Sequence, residues 1–307
     1  MPRARRNSDG VSGLLSSLPE LNEAPERLFD TADAQANSCY SAIEKPKSGD
    51  DHKGQKTLRI VPPNRLWPGK DAPLIYPQGE AAHDMLRAHI LGEHYPCIGA
   101  RAAFMKGGYR FGFYKELGCV SSAGPMGRDL RRFVGEYERI GEFTTFVAVF
   151  QNPQISTEAE FETKLWQHLQ LLHDHDGNQW DPNYSPDPQD PHFAFSFAGK
   201  AFFVVGMHAG SSRFSRRLAF PALIFNPESQ ILRLKEEGMI ERFAGTVRKR
   251  DTQYQGSINP SLPVDSSTTG GEARVYSGKE NREGGGWKCP FHTRKAVLEK
   301  HAAEKSE

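Results

Sequence analysis

Apolar positions recur at helical spacing in some stretches of the chain and alternate or run together in others. These switches predict an order of elements. In Gly79–Glu93, Ala82, Leu86 and Ile90 fall on one helical face. That helix should stop before Tyr95-Pro96, because the residue ahead of a proline is pushed out of helical backbone. Tyr109–Tyr114 (YRFGFY) alternates as a strand does. Pro125–Ile140 places Leu130, Phe133, Val134 and Tyr137 on one face of a helix. Phe143–Phe150 (FTTFVAVF) is β-branched and aromatic, the composition of a buried strand. A hydroxyl followed by acids at Ser156–Glu160 starts a helix that runs to about His175. His192–Phe197 and Ala201–Gly206 predict a hairpin turning at Ala198-Gly199-Lys200. Pro221–Phe225 reads as a short strand, and Glu228–Gly238 and Met239–Arg250 as helices. Mixed strands and helices with one hairpin predict an α+β fold, a single domain with a mostly antiparallel sheet and packed helices.

The apolar pattern also sets the expected limits. Residues 1–65 are rich in Ser, Asp, Asn, Lys and Pro, which cannot bury enough surface to offset ordering entropy, so a flexible N-terminal arm is expected there, with a short helical turn at SSLPELNEAPERLF. Apolar density rises at Leu66-Trp67, and the domain is expected to span residues 66–292, with a C-terminal tail over 293–307.

Composition narrows the function classes. A formal charge of +1 over 307 residues gives no general attraction for nucleic acid or anionic lipid, so neither is expected as a partner. The basic N-terminus has no apolar core of a secretory signal, and no apolar run approaches the roughly 20 residues of a membrane helix. Cys39, Cys97, Cys119 and Cys289 are far apart and form no C-x-x-C pair, which argues against a structural zinc site or a disulfide framework. The expected location is cytoplasmic, with free thiols.

The chain has no G-x-G-x-x-G or P-loop spacing, no H-E-x-x-H and no G-x-S-x-G. His173 and His175 flank Asp174 at a helix end; their i, i+2 spacing suits the helix dipole better than a shared metal. His192 opens the hairpin and His208 closes it, so both can lie near one sheet edge; the plainer reading is a hydrogen-bonded histidine at a strand end. Arg213, Arg216 and Arg217 in SSRFSRR are placed at a helix start, with guanidinium forks suited to carboxylates and phosphates, or else form a solvated basic turn. Cys289, in WKCPFH, is a candidate thiolate ligand to a heme. Cys97 is better read as a packed thiol.

The segments PCIGARAAFMKGGYRFGFYKELG, DPHFAFSFAGKAFFVVGMHAGSSRFSRR, QGSINP and WKCPFH together resemble the YqcI/YcgG family, over about Tyr95 to His292. Characterised members of that family include heme-dependent N-hydroxylases of guanitoxin and D-cycloserine biosynthesis. The resemblance implies heme b as cofactor and a monooxygenase that hydroxylates a nitrogen of arginine or a related guanidino or amino compound, using O2 and an electron donor. The alternative is a non-catalytic heme- or small-ligand-binding protein. On this reading His208, His192 and Cys289 are the heme-ligand candidates, with His208 first and Cys289 second as the iron ligand. Arg213 and Arg217 would hold propionates, Phe193, Phe195, Phe202 and Phe203 would wall the porphyrin, and Glu116 or Asp190 would fork a guanidinium substrate. The resemblance also ties Trp287–His292 to the domain, so the chain is expected to dock there, while Gln255–Gly286 reads as polar tail.

Overall fold

Strand pairing sets the architecture. In a computed structural model of the chain, residues 76–259, 273–281 and 286–294, with Val297 and Glu299, are described. The expected arm over residues 1–65 lies outside them, as does most of the expected tail. Along the chain run α1 (Tyr76–Leu91), α2 (Ile98–Met105), β1 (Tyr109–Glu116), α3 (Val120–Val134), α4 (Tyr137–Ile140), β2 (Thr145–Asn152), α5 (Glu158–Asp174), β3 (Phe195–Phe197), β4 (Lys200–Met207), β5 (Ala222–Pro227), α6 (Glu228–Glu236), α7 (Ile240–Gln255) and the single turn α8 (Ala273–Tyr276). The five strands form one sheet in the order β1-β2-β5-β4-β3. Only β1 and β2 pair in parallel; β2–β5, β5–β4 and β4–β3 are antiparallel. The fold is therefore α+β with a mostly antiparallel sheet, as the sequence pattern leads one to expect. The centre of β2 is apolar, with Phe146 to Phe150 all at 0% exposure, because it lies inside the sheet and is covered on both faces.

Several boundaries move for identifiable reasons. Phe143 stays outside β2: its ring stacks on Phe243 of α7 at 6.0 Å, and the Gln230 side chain takes both the N–H and the carbonyl of Thr144. α5 starts after Thr157 rather than Ser156; Thr157 Oγ1 accepts from Glu160 N at 3.2 Å, and Glu160 Oε2 reaches back to Ser156 N. The expected strand over His192–Phe197 shortens to Phe195–Phe197, because the Asp190 carboxylate captures His192 N at 2.8 Å and the Asp190 carbonyl captures Phe193 N. The hairpin turns on Ala198 and Gly199, both at positive φ (53° and 76°), the backbone of a turn that matches the strand twist. SSRFSRR forms a single 3-10 turn, Phe214–Arg216, in place of a helix start.

The stretch expected as polar tail is partly core. Ala273, Tyr276 and Ser277 are buried. Tyr276 stacks on Trp166 at 5.7 Å and donates its hydroxyl to Phe202 O at 3.1 Å, so the aromatic ring outweighs the polar residues around it. Farther on, Cys289 and Phe291 are buried, and Phe291 meets His173, Trp180, Phe193 and Phe195. Docking continues through Thr293, whose hydroxyl donates to Pro186 O, and Arg294, whose backbone N–H donates to His173 Nε2 at 3.1 Å.

Candidate functional site

β2 and β4 both run antiparallel to β5, and β1 is parallel to β2. The carboxyl ends of β1, β2 and β4 therefore share one edge of the sheet. Glu116, Asn152 and His208 stand there, together with the N-terminus of α5. Loops at the carboxyl ends of strands are where sites on such sheets are commonly built.

His208 is the centre of this edge. Its backbone is pinned by three bonds: its N–H donates to Arg216 O, and its carbonyl accepts from Ser211 N and Leu218 N. The side chain is fully buried, and the Phe161 ring covers one face at a centroid distance of 4.3 Å and an angle of 18°. Among the described residues, neither Nδ1 nor Nε2 has a hydrogen-bond partner. Burial depresses the imidazole pKa to about 4, with the Arg216 cation also lowering it and Glu158 and Glu160 opposing, so the ring is neutral near pH 7. A buried imidazole with two unused nitrogens is unusual, because buried polar groups are normally paired.

The next residues form its surroundings. His208–Ala209–Gly210–Ser211 is a hydrogen-bonded turn jammed against the start of α5: a Cβ on Gly210 would lie 2.3 Å from Ser156 O. Ser211 is buried, and its Oγ also has no hydrogen-bond partner among the described residues. Ser212 is tied by its N–H and hydroxyl to Glu158 Oε1, at 2.9 and 2.6 Å. Arg213 is buried with its Nη2 on Asp251 and Ser257 O, so its fork is already engaged. Arg216 Nη1 donates to Tyr276 O at 3.0 Å, and burial lowers its pKa to about 10. Arg217 is exposed; its Nε donates to Ser211 O at 2.6 Å and its guanidinium lies over Phe214.

The other expected site residues lie elsewhere or in other roles. His192 is exposed and pairs with Asp190 at 3.3 Å, and Asp190 is held below the usual carboxylate range by the His192 backbone N–H. Among the described residues, no hydrogen bond, ion pair or ring contact links this pair to His208. Glu116 stands at the same sheet edge as His208, and its backbone N–H donates to Ser122 Oγ. Cys289 is a buried thiol pushed up to about 12, by burial first, which keeps it protonated. Phe193, Phe195 and Phe202 are at 1%, 0% and 0% exposure and pack into the aromatic core. Cys97 caps α2, its Sγ accepting from Ala100 N. His173 is not the cation its helix-end position suggested: it is buried, depressed to about 4 by burial, and its Nε2 accepts a hydrogen bond. Phe161 and Ser211 were missed. Phe161 carries no signal beyond an apolar helix position, and Ser211 shows only when its hydroxyl is seen to be orphaned.

Heme is the cofactor that the resemblance implies, and the residues fit it at one point. Among the described residues no three His, Cys, Asp or Glu side chains are placed to hold a bare metal ion. Heme carries its own nitrogen ligands to iron, so one protein side chain would be enough to hold it. The neutral, unpartnered imidazole of His208 has the donor chemistry for it; the protonated Cys289 and the paired Arg213 do not suit the roles of thiolate ligand and propionate clamp. No described helix is long and apolar enough to cross a membrane.

No solved structure matches the chain. The chain is 28% identical over 221 residues to the uncharacterized protein YcgG of Bacillus subtilis (strain 168), covering 67% of this chain and 80% of that one. It is 24% identical over 217 residues to the uncharacterized protein YqcI of the same organism, covering 68% and 85%. The YqcI/YcgG family matches residues 86–292, two thirds of the length, so the chain belongs to the YqcI/YcgG family.

Proposed function

We propose that this protein is a cytoplasmic heme-dependent oxygenase that hydroxylates a nitrogen of arginine or a related guanidino or amino compound, drawing on O2 and an external electron donor. The observation that carries the proposal is His208, a fully buried neutral imidazole at the carboxyl edge of the sheet, with both nitrogens unpartnered among the described residues. When bound, heme supplies the oxygen activation that no side chain can. His208 would hold the iron through a nitrogen lone pair without first losing a proton, since its ring is already neutral. Arg217, exposed on the same loop, is the guanidinium available to a propionate. Glu116, at the same edge, is the carboxylate that would orient a guanidinium substrate. Asp190 is the weaker choice, because His192 already occupies it.

The test is a hemin titration of the purified protein followed by visible spectroscopy. A saturable Soret band that His208→Ala abolishes is expected, then oxygen- and reductant-dependent formation of an N-hydroxylated product from arginine or a homologue. Protein that stays colourless sinks the reading. A second reading, heme or ligand binding without catalysis, is favoured by the cover over His208, whose ring is fully enclosed with Phe161 on one face. It predicts the same Soret band and no turnover.

A further inference from the structure

We infer that Ser211 is the positioning residue of His208, its Oγ accepting the imidazole N–H that does not face the ligand. The inference rests on the heme reading of His208. A neutral imidazole has one N–H and one lone pair, and when the lone pair is given to iron the N–H needs an acceptor that fixes the tautomer and the ring's rotation. In this protein that acceptor must come from the ring's immediate surroundings, since the ring reaches no solvent.

The turn supplies it. His208 and Ser211 are the first and fourth residues of a hydrogen-bonded turn, Ser211 N to His208 O at 3.3 Å, which keeps their Cα atoms within about 7 Å. Both backbone polar groups of Ser211 are spent, the N–H on His208 O and the carbonyl on Arg217 Nε. Gly210 packs so closely on Ser156 that an added Cβ would lie 2.3 Å from Ser156 O. Ser211 Oγ, which can turn about its own Cα–Cβ bond, belongs to a residue only 1% exposed and has no hydrogen-bond partner among the described residues. The charged groups that face His208 are Glu158, Glu160 and Arg216. Glu158 Oε1 is occupied by Ser212, Glu160 is engaged at the α5 cap, and Arg216 is a donor only. Ser211 is the neutral acceptor that remains unspent in the turn.

The experiment uses the full chain and three variants, Ser211→Ala, Ser211→Thr and His208→Ala, with hemin as probe. Three quantities are read: hemin affinity from the Soret titration, the midpoint reduction potential of the loaded protein, and the denaturant midpoint of the unloaded protein. Ser211→Ala should leave the unloaded midpoint unchanged or higher, since it deletes an unsatisfied buried hydroxyl. It should weaken hemin affinity about tenfold or more and raise the reduction potential, because a less basic imidazole favours ferric iron less. Ser211→Thr, which keeps the hydroxyl, should restore both toward the parent values. If the parent binds hemin through His208 and Ser211→Ala alters neither affinity nor potential, the inference alone is overturned. A loss of unloaded stability in Ser211→Ala also overturns it, by showing a structural bond. If the parent binds no hemin, or His208→Ala binds it equally well, the heme reading falls and the inference with it.

Discussion

The ring of Phe161, from the first half of α5, lies over the ring of His208 with centroids 4.3 Å apart and planes 18° from parallel. This contact is the cover of the candidate site. A Cβ on Gly206, two residues before His208, would stand 2.3 Å from the Phe161 ring and 2.9 Å from Tyr276 O, so the strand end, the helix and α8 close on one another without slack. Phe161→Ala should cost about 3–5 kcal/mol by leaving a cavity in the core. It should also uncover His208. In the parent protein the ring must be exposed before hemin can reach it, so hemin uptake should saturate at a rate independent of hemin concentration. Stopped-flow absorbance would show that plateau, and Phe161→Ala should raise it. Uptake in the parent that stays linear in hemin at all concentrations would contradict the closed cover.

Acid should destabilise the protein before any carboxylate is protonated in bulk. His83 and His168 are held to about 3, and His173 and His208 to about 4, with burial the first cause in each case. His168 shows why it must remain neutral: Gly118 N donates to its Nδ1 at 3.0 Å, leaving the ring proton on Nε2 beside Met126 Sδ. Above pH 6.5 these rings are neutral in both folded and unfolded chains and contribute no pH dependence. Below it the unfolded chain binds protons that the folded one does not, so stability falls as pH drops toward the folded values and levels off beneath them. At pH 5 each ring should cost up to about 2 kcal/mol. Denaturant midpoints measured at pH 7.5 and pH 5 should differ clearly; equal midpoints would show that the rings are protonated in place.

The order of elements was legible in the sequence because it rests on local signals: the β-branched run of β2, the hydroxyl and acids that open α5, the Ala198-Gly199 turn. Boundaries moved where a distant side chain took over a backbone group, as Gln230 does at Thr144 and Asp190 does at His192. The candidate site was legible only in part. His208 stands out as a strand-end histidine before a Gly/Ser turn. That Arg213 is consumed by Asp251, 38 residues on, and that Cys289 lies protonated in an aromatic core, depend on contacts across the fold that no local pattern encodes.

Arg213 and Asp251 form a buried ion pair, at 8% and 7% side-chain exposure, that ties the loop after His208 to α7. Removing one partner strands the other charge. Arg213→Ala and Asp251→Ala should each cost about 3–5 kcal/mol, and the double variant should cost less than the sum of the two. Equilibrium denaturation of the four proteins closes the cycle. If Arg213 instead served a propionate, its loss would weaken hemin binding selectively while Asp251→Ala left binding intact; an equal effect of both on binding would follow from the shared loop.

The described cysteines should differ sharply toward a thiol reagent, and the order tests the docking of the C-terminal segment. Cys119 is partly exposed, and hydrogen bonds from the Ser121 hydroxyl and backbone lower its pKa. The thiolate is the reactive form, so Cys119 should react first. Cys97 is partly buried at the cap of α2 and raised by burial, so it should follow slowly. Cys289 is both buried and pushed up to about 12, so in the native state its reaction requires Trp287–Arg294 to lift off. That segment is held by Phe291 among Trp180, Phe193 and Phe195, and by Arg294 N on the neutral ring of His173. Protonating His173 removes the lone pair that accepts this bond, so lowering the pH toward 5 should speed opening even though it slows thiol chemistry. Labelling for fixed times followed by peptide mass spectrometry, with rates divided by the thiolate fraction at each pH, should therefore show Cys289 gaining relative to Cys119 as pH falls. Phe291→Ala should produce the same gain at neutral pH. A Cys289 that reacts as fast as Cys119 in the parent at pH 7.5 would mean that the segment is not docked in solution.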